Sequence, residues 1–260
     1  MLIVLKYGGN AMTAGAEDPV LDEITALANG GTSVVLVHGG GPQIDAALRL
    51  QGIPEERVEG LRVTSAAARD VVEAVLCGSV NKDLVRGLLA RGAKAFGLSG
   101  QDGALLTARY MRIGGRDLGF VGEPVSVDVA LLRGILALGV LPVIAPLGLE
   151  PRAGVALNLN ADTAAGAIAA ALQADAYVVL TNVAGVRRDL ADPGSLIPRL
   201  TVGEAQGFLA DGTFSAGMRP KMRAAIEAVS GGARRAVIGE AVRDGISAAL
   251  AGTGTELVAS

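Results

Sequence analysis

The chain carries a single cysteine, Cys77, and a single histidine, His38, in 260 residues. One cysteine excludes an internal disulfide and a cysteine-rich metal site, and one histidine excludes a multi-histidine metal centre. Tryptophan is absent and aromatic residues make up only 3%, so the core has to be built from Leu, Val, Ile and Ala. Net charge is −3, with no basic stripe interleaved with aromatics, which argues against nucleic acid as a partner. Residues 125–144 are apolar but interrupted by Asp128, Arg133 and Gly139, too broken for a membrane span. No charged-then-apolar leader precedes the first apolar run. These absences lead to the expectation of a cytoplasmic protein with no membrane partner, built as one large domain or two tightly joined lobes.

Lysine is scarce as well. Lys6, Lys82, Lys94 and Lys221 are the four present, and every other basic residue is arginine. Lysine is a compact, mobile point charge, whereas arginine is a planar fork, so a retained lysine marks a position to question. Lys6 ends an apolar run and is followed by Tyr7, Gly8 and Gly9, and Lys221 opens a helical pattern after Gly217 and Met218. Both positions suit a point charge beside exposed backbone N–H groups. Lys94 reads as chance, and Lys82 is open between chance and a role.

What is abundant is an alternation. Short β-branched runs at 2–5, 33–37, 93–97, 140–145, 177–180 and 236–238 read as buried strands. Helical patterns lie between them at 20–28, 43–50, 66–76, 79–90, 129–137, 162–171, 202–209 and 218–229. The order implies a mainly parallel sheet with helices on both faces. Residues 104–127 break the rhythm, and their Gly114-Gly115 turn predicts a β-hairpin, with a shorter hairpin expected at 148–157. A join between two lobes is expected near residues 170–175.

Glycines fall where the strands end: Gly8-Gly9, Gly39-Gly40-Gly41, Gly97 with Gly100, and Gly185. Open parallel sheets bind ligands at those ends, and glycine lets an anion approach backbone N–H groups. A phosphate- or carboxylate-binding crevice follows. Familiar nucleotide signatures are missing. No glycine is followed by lysine, which removes the P-loop, and Gly39-Gly40-Gly41-Pro42-Gln43-Ile44 lacks the last glycine of a dinucleotide fingerprint. There is no G-x-S-x-G elbow for a serine hydrolase.

Several segments occur together and in order. They are Lys6-Tyr7-Gly8-Gly9, Val37-His38-Gly39-Gly40-Gly41-Pro42, Gly60-Leu61-Arg62-Val63-Thr64, Gly97-Leu98-Ser99-Gly100-Gln101-Asp102-Gly103, Asn158-Leu159-Asn160-Ala161-Asp162 and Gly217-Met218-Arg219-Pro220-Lys221. This set resembles the amino acid kinase family, and within it the N-acetylglutamate kinase branch, over nearly the whole chain. The resemblance implies an α/β three-layer sandwich with a mainly parallel central sheet, of the carbamate kinase-like type. It implies an N-terminal lobe to about residue 173, for N-acetyl-L-glutamate binding and dimerisation, and a C-terminal lobe from about 174 to 260 for ATP. The implied reaction passes a phosphoryl group from ATP to the side-chain carboxylate of N-acetyl-L-glutamate, in arginine biosynthesis. Phosphoryl transfer asks for positioning and charge stabilisation rather than a covalent intermediate, and an ionised carboxylate needs no general base.

By the same resemblance, Lys6 stabilises the transferring phosphoryl group, Lys221 acts at the ATP end, and Asp162 holds both lysines. Gly8, Gly9, Gly40 and Gly41 match backbone N–H donors around the phosphoryl group and the acceptor carboxylate. Arg62 matches the arginine that grips the α-carboxylate, which suits its fork, and Asn158 matches the residue binding the acetylamino part. Asn182, Val183, Ala184, Gly185, Val186 and Arg187, with Thr213, Phe214 and Ser215, match segments lining the nucleotide. Mg²⁺ is expected on ATP oxygens and water rather than on protein side chains. Plainer readings stand beside these. Asp162 is also placed to cap a helix, Arg62 to be a surface charge, Asn158 to be a turn residue, His38 to bond a loop, and Met218 and Met222 to fill the core.

Two residues depart from the resemblance: Asn182 stands where many relatives carry aspartate, and Arg219 where an apolar residue is usual. The chain starts at its first strand, without the extra N-terminal helix of the arginine-inhibited hexamers, so a homodimer is expected. Competing readings are a kinase for N-blocked α-aminoadipate, a non-catalytic sensor on the same fold, and an NAD-dependent oxidoreductase. The last is disfavoured by the missing fingerprint.

Overall fold

A computed structural model describes residues 1–8, 12, 18–189, 192–214 and 217–260. Gly9 and Ser215, both expected at the site, lie outside the described residues. An eight-stranded sheet forms the middle layer. Its central strands are β1 (Leu2–Tyr7), β2 (Ser33–His38), β8 (Leu141–Ala145), β11 (Ala176–Thr181) and β13 (Ala236–Glu240). With β5 (Ala95–Ser99), β12 (Arg199–Thr201) and β14 (Thr255–Val258), the order is β12-β14-β13-β11-β1-β2-β8-β5. Every pairing is parallel except β13 with β14. Tyr7, His38, Ser99, Ala145 and Thr181 therefore end their strands at one edge of the sheet.

Strand alternation divides the core. Ile3, Leu5 and Tyr7 face one helical layer, which includes α1 (Pro19–Asn29), α4 (Asn81–Ala90) and α9 (Gly245–Leu250). Val4 faces the other, with α6 (Ala161–Leu172) and α8 (Arg219–Ser230). Lys6 is two residues beyond Val4, so the pleat sends it toward α6 and α8. These helices pack closely because they are rich in small residues. A Cβ built on Gly166 of α6 would lie 2.7 Å from the Ala224 carbonyl oxygen of α8.

Beside the sheet, β6 (Leu106–Ile113) and β7 (Arg116–Val127) form the expected hairpin, turning at Gly114 and Gly115 with φ of 56° and 80°. The second expected hairpin is β9 (Leu147–Glu150) with β10 (Val155–Leu159), and the four strands close into a small barrel ordered β10-β7-β6-β9. A two-residue pair, β3 (Arg57–Val58) and β4 (Leu61–Arg62), sits above them. The remaining helices are α2 (Gly41–Leu50), α3 (Ala66–Glu73), α5 (Val129–Ala137) and α7 (Val202–Asp211).

Two expectations shift. The run at 93–97 becomes a strand only from Ala95, because the Ala93 N–H closes the end of α4 on Leu88 O at 3.0 Å. The two helices expected at 66–76 and 79–90 are one rod joined by a π-helical stretch, Ala74–Val80. This stretch sets Leu76 under the glycine loop after β2, where a Cβ on Gly40 would meet Leu76 Cδ2 at 2.7 Å. Residues 173–175 link α6 to β11, and β11 pairs with β1, so both expected lobes share one sheet.

Candidate active site

Lys6, Asp162 and Lys221 converge. Lys6 Nζ lies 3.0 Å from Asp162 Oδ1, and Lys221 Nζ lies 3.7 Å from Oδ2. Lys6 and Asp162 are buried, at 6% and 4% exposure. Asp162 Oδ1 has charge contact with Lys6 but no partner in hydrogen-bond geometry, so its accepting capacity is not used up. The carboxylate is placed by α6: Asn160 is the cap, its Oδ1 accepting from the N–H groups of Asp162 and Thr163 at 2.9 and 3.1 Å. Asp162 is thus released from capping and turns toward β1. Tyr177 pins the same turn by donating to Asp162 O at 2.8 Å.

Lys221 sits in the first turn of α8, behind Pro220. Burial pushes its pKa down, and Lys6 adds to that; Asp162 opposes it. Two cations so close need the shared anion between them, and in a site of reduced dielectric the pair would repel strongly without it. Two ammonium groups around one carboxylate leave net positive charge at this point, which favours a further anion.

The glycine loops meet beside this trio. The Gly39 N–H donates to Tyr7 O at 2.9 Å, and a Cβ on Gly8 would lie 2.6 Å from Gly39 Cα; only glycine permits that approach. Among the described residues, the N–H groups of Gly40 and Gly41 have no hydrogen-bond partner at the start of α2. A helix start with free N–H groups favours anions.

A cleft of about 840 Å³ opens next to the trio. Asn160 and Thr163 flank Asp162 on its wall, Arg219 and Pro220 precede Lys221, and Gly60 and Leu61 lead into Arg62. Arg219 therefore contributes its charge to the cleft. Arg62 itself is buried, with its guanidinium on Asp45 and 3.2 Å from Glu55, which rules out a solvated surface charge. Asn158 is on strand β10 rather than in a turn, and its Nδ2 donates to Thr64 Oγ1 at 3.2 Å. Thr64 Oγ1 in turn donates to Arg62 O at 3.1 Å, so Arg62 and Asn158 belong to one bonded group.

The segment from Asn182 to Arg187 leaves the carboxyl end of β11, at the same sheet edge as Gly8. Asn182 is exposed, and Val183 and Ala184 are half-buried. Val186 is core, its N–H donating to Thr255 Oγ1 at 2.8 Å, and Gly185 packs against Leu196 and Thr255. Phe214 is also core, edge-on to Phe208 at 5.9 Å, and Thr213 bonds Asp211. The Val186 C=O also accepts from the Ile197 N–H at 2.8 Å, so both its backbone groups are engaged inside the protein.

The profile of the amino acid kinase family matches residues 1–240. The chain belongs to the amino acid kinase family. Relatives of this amino acid kinase include the acetylglutamate kinase of Symbiobacterium thermophilum, 44% identical over 240 residues that cover 90% of this chain and 82% of that one. The acetylglutamate kinase of Gluconacetobacter diazotrophicus is 47% identical, covering 91% and 77%. The chloroplastic acetylglutamate kinase of Arabidopsis thaliana is 44% identical, covering 91% and 68%. Among solved structures, N-acetylglutamate synthase of Neisseria gonorrhoeae, complexed with coenzyme A and N-acetyl-glutamate, gives a TM-score of 0.85 at 27% identity; the match covers 99% of this chain and 59% of that one. A Streptococcus mutans UA159 protein gives 0.84 at 30%, covering 100% and 99%. Carbamate kinase of Giardia lamblia bound to AMP-PNP gives 0.74 at 20%, covering 100% and 98%, and shares the fold.

Sequence reasoning gave this amino acid kinase no role for Asn160, Asp45, Thr64 or Asn81. The Asn-x-Asp spacing at the start of α6 was a usable signal for the cap. The others act through contacts between distant segments.

Proposed function

We propose that the protein transfers the γ-phosphoryl group of ATP to the side-chain carboxylate of N-acetyl-L-glutamate. The products are N-acetyl-L-glutamyl 5-phosphate and ADP, in the second step of arginine biosynthesis. The observation that carries the reading is the shared carboxylate of Asp162, which brings Lys6 and Lys221 together. The acetylglutamate kinases similar to this chain at 44–47% identity support the choice of acceptor.

The acceptor carboxylate oxygen attacks phosphorus, and the bond to the β–γ bridging oxygen of ATP breaks, its electron pair leaving on ADP. Lys6 meets charge on the transferring group, Lys221 meets charge toward the leaving oxygen, and the Gly40 and Gly41 N–H groups receive anionic oxygens. Arg62 and Asn158 hold the α-carboxylate and acetylamino ends of the acceptor. Asp162, the buried acid of the trio, is engaged by two lysines. Mg²⁺ is therefore assigned to phosphate oxygens and water, where it would neutralise ATP charge. Residues 1–173 hold the acceptor and the dimer contact, and residues 174–260 hold the nucleotide.

We place the protein in the cytoplasm as a homodimer. At one end of the sheet, the edge strand β5 exposes Phe96, and the neighbouring α4 and α5 expose Leu89 and, just past α5, Leu138. An unpaired edge with exposed apolar residues is a pairing surface for a second copy.

The test is hydroxylamine trapping of the acyl phosphate, with N-acetyl-L-glutamate and N-acetyl-α-aminoadipate run in parallel. Preferred turnover of the glutamate compound is expected, and Lys6→Ala should abolish trapping while the protein stays folded. Equal or better turnover of the longer acceptor refutes the substrate assignment; undiminished trapping by Lys6→Ala removes Lys6 from the chemistry.

A further inference from the structure

The His38, Asn81 and Lys82 side chains form a chain of contacts that the reaction above does not use. His38 and Asn81 are completely buried. Lys82 Nζ donates to Asn81 Oδ1 at 3.0 Å and to Gly97 O at 3.1 Å. Asn81 Nδ2 lies 2.9 Å from Val143 O, 3.3 Å from Leu98 O and 3.1 Å from His38 Nε2. His38 Nδ1 lies 2.8 Å from Gly39 O. The path runs from the middle of β5 and β8 to the glycine loop after β2.

The chemistry of each link fixes the next. The Val143 and Leu98 carbonyls only accept and the Lys82 ammonium only donates, so the Asn81 amide nitrogen faces the carbonyls and its oxygen faces Lys82. The Asn81 amide nitrogen then faces His38, so Nε2 must accept. The single proton of the neutral ring is thereby placed on Nδ1, which donates to Gly39 O. Burial drives the His38 pKa down to about 4, against the opposing effect of the Gly39 bond, with the Lys82 charge adding to the drop, so the ring stays neutral near pH 7. The peptide between Gly39 and Gly40 is trans, and its C=O and N–H point in opposite directions. With the C=O drawn to the buried ring, the Gly40 N–H points out on the open side of the loop, where it has no partner among the described residues. Space for the arrangement depends on Gly97: a Cβ there would overlap Asn81 Oδ1 and come within 2.8 Å of Lys82 Nζ.

We propose that Lys82, Asn81 and His38 are positioning residues for phosphoryl transfer: through one defined imidazole tautomer they hold the Gly39–Gly40 peptide so that the Gly40 N–H faces the anionic oxygens. The inference rests on the kinase reading for its catalytic consequence, but the tautomer itself does not.

Two experiments test it. With a single histidine, ¹⁵N-histidine labelling gives one pair of ring signals. A protonated Nδ1 and a bare Nε2 are expected in the substrate-free protein at pH 7. A ring protonated on Nε2, or averaged in the unsubstituted protein, overturns the proposal whatever the substrate proves to be. The second experiment compares two amides. Asn at position 38 places an N–H near the Nδ1 position, whereas Gln reaches the Nε2 position and leaves Gly39 O without its donor. His38→Gln should lower kcat about 10- to 100-fold with KM for both substrates changed less than about threefold, and His38→Asn should restore kcat to within about threefold of the unsubstituted enzyme. Both variants are checked for folding by thermal denaturation. A His38→Gln kcat within about twofold of the unsubstituted enzyme overturns the proposal, as do equal losses in the two variants. If N-acetyl-L-glutamate is not turned over at all, the proposed function fails and the ring spectrum still decides the positioning claim.

Discussion

Gly166→Ala adds one methyl group at the closest approach of α6 and α8. The new Cβ would lie 2.7 Å from the Ala224 carbonyl oxygen, against an ordinary contact of at least 3.4 Å. The obstacle is helix backbone, so no side chain can swing aside, and α8 has to retreat by about 0.7 Å, the difference between those two distances. Overpacking of this kind costs about 1–3 kcal/mol of stability. Asp162 lies four residues before Gly166 on one helix, and Lys221 three residues before Ala224 on the other. A retreat of α8 therefore stretches the 3.7 Å contact between Lys221 and Asp162. A displacement near 1 Å at reacting groups costs up to about 100-fold in rate, so a loss of about 10-fold or more in kcat is expected. The assay is ADP release under saturating substrates, with thermal denaturation run on the same samples. Gly207→Ala is the control: it lies in α7 with no atom within reach of a new Cβ, and it should gain about 0.4–1 kcal/mol. If Gly166→Ala keeps both the stability and the kcat of the unsubstituted enzyme, the helix contact does not set the lysine geometry.

Two further perturbations probe charge. Asp162→Asn removes the anion that raises the Lys221 pKa against burial and Lys6; activity requires a charged lysine, so the alkaline limb of the kcat profile should move to lower pH, and an unmoved limb contradicts the shared-anion role. His38 has a pKa of about 4 in the folded protein against 6.5 for an ordinary histidine. Between these values the unfolded chain binds a proton that the native state refuses. Stability should therefore fall as pH drops from about 6.5 to about 4, by roughly 3 kcal/mol in all. Urea denaturation at pH 7 and 4.5 should show the His38→Asn protein lacking most of that step, and an equal acid loss in both proteins refutes it.

The central strands were legible because both faces of the sheet are covered: Ile3, Val4 and Leu5 are all buried, so their run is continuously apolar. Helix periodicity was readable for the same reason. The strand β14 and the helix α9 were not. β14 follows two glycines and has four residues, and α9 receives its first-turn bonds from Glu23, whose Oε2 and Oε1 accept from the Ile246 and Ser247 N–H groups across more than 220 positions. No local window contains that information. Lys6 and Lys221 were marked by scarcity and joined to Asp162 by family resemblance, but their meeting depends on pleat direction in β1 and the tight approach at Gly166. Lys82 was equally scarce and stayed open, since its role needs Asn81, His38 and Gly97 on three separate elements.

The position of β14 has a consequence for how the molecule is made. Among the described residues β12 bonds to the sheet through β14 alone, and β14 lies between β12 and β13. On a ribosome β12 emerges first and has no docking place until residue 258 has been synthesised. At about 5–20 residues per second, the 57 residues from 201 to 258 impose a wait of about 3–11 s. From residue 240, when β13 is complete, until residue 258 the β13 flank is an uncovered sheet margin, able to recruit a neighbouring nascent chain, so slowing elongation late in the message should raise aggregation more than slowing it early.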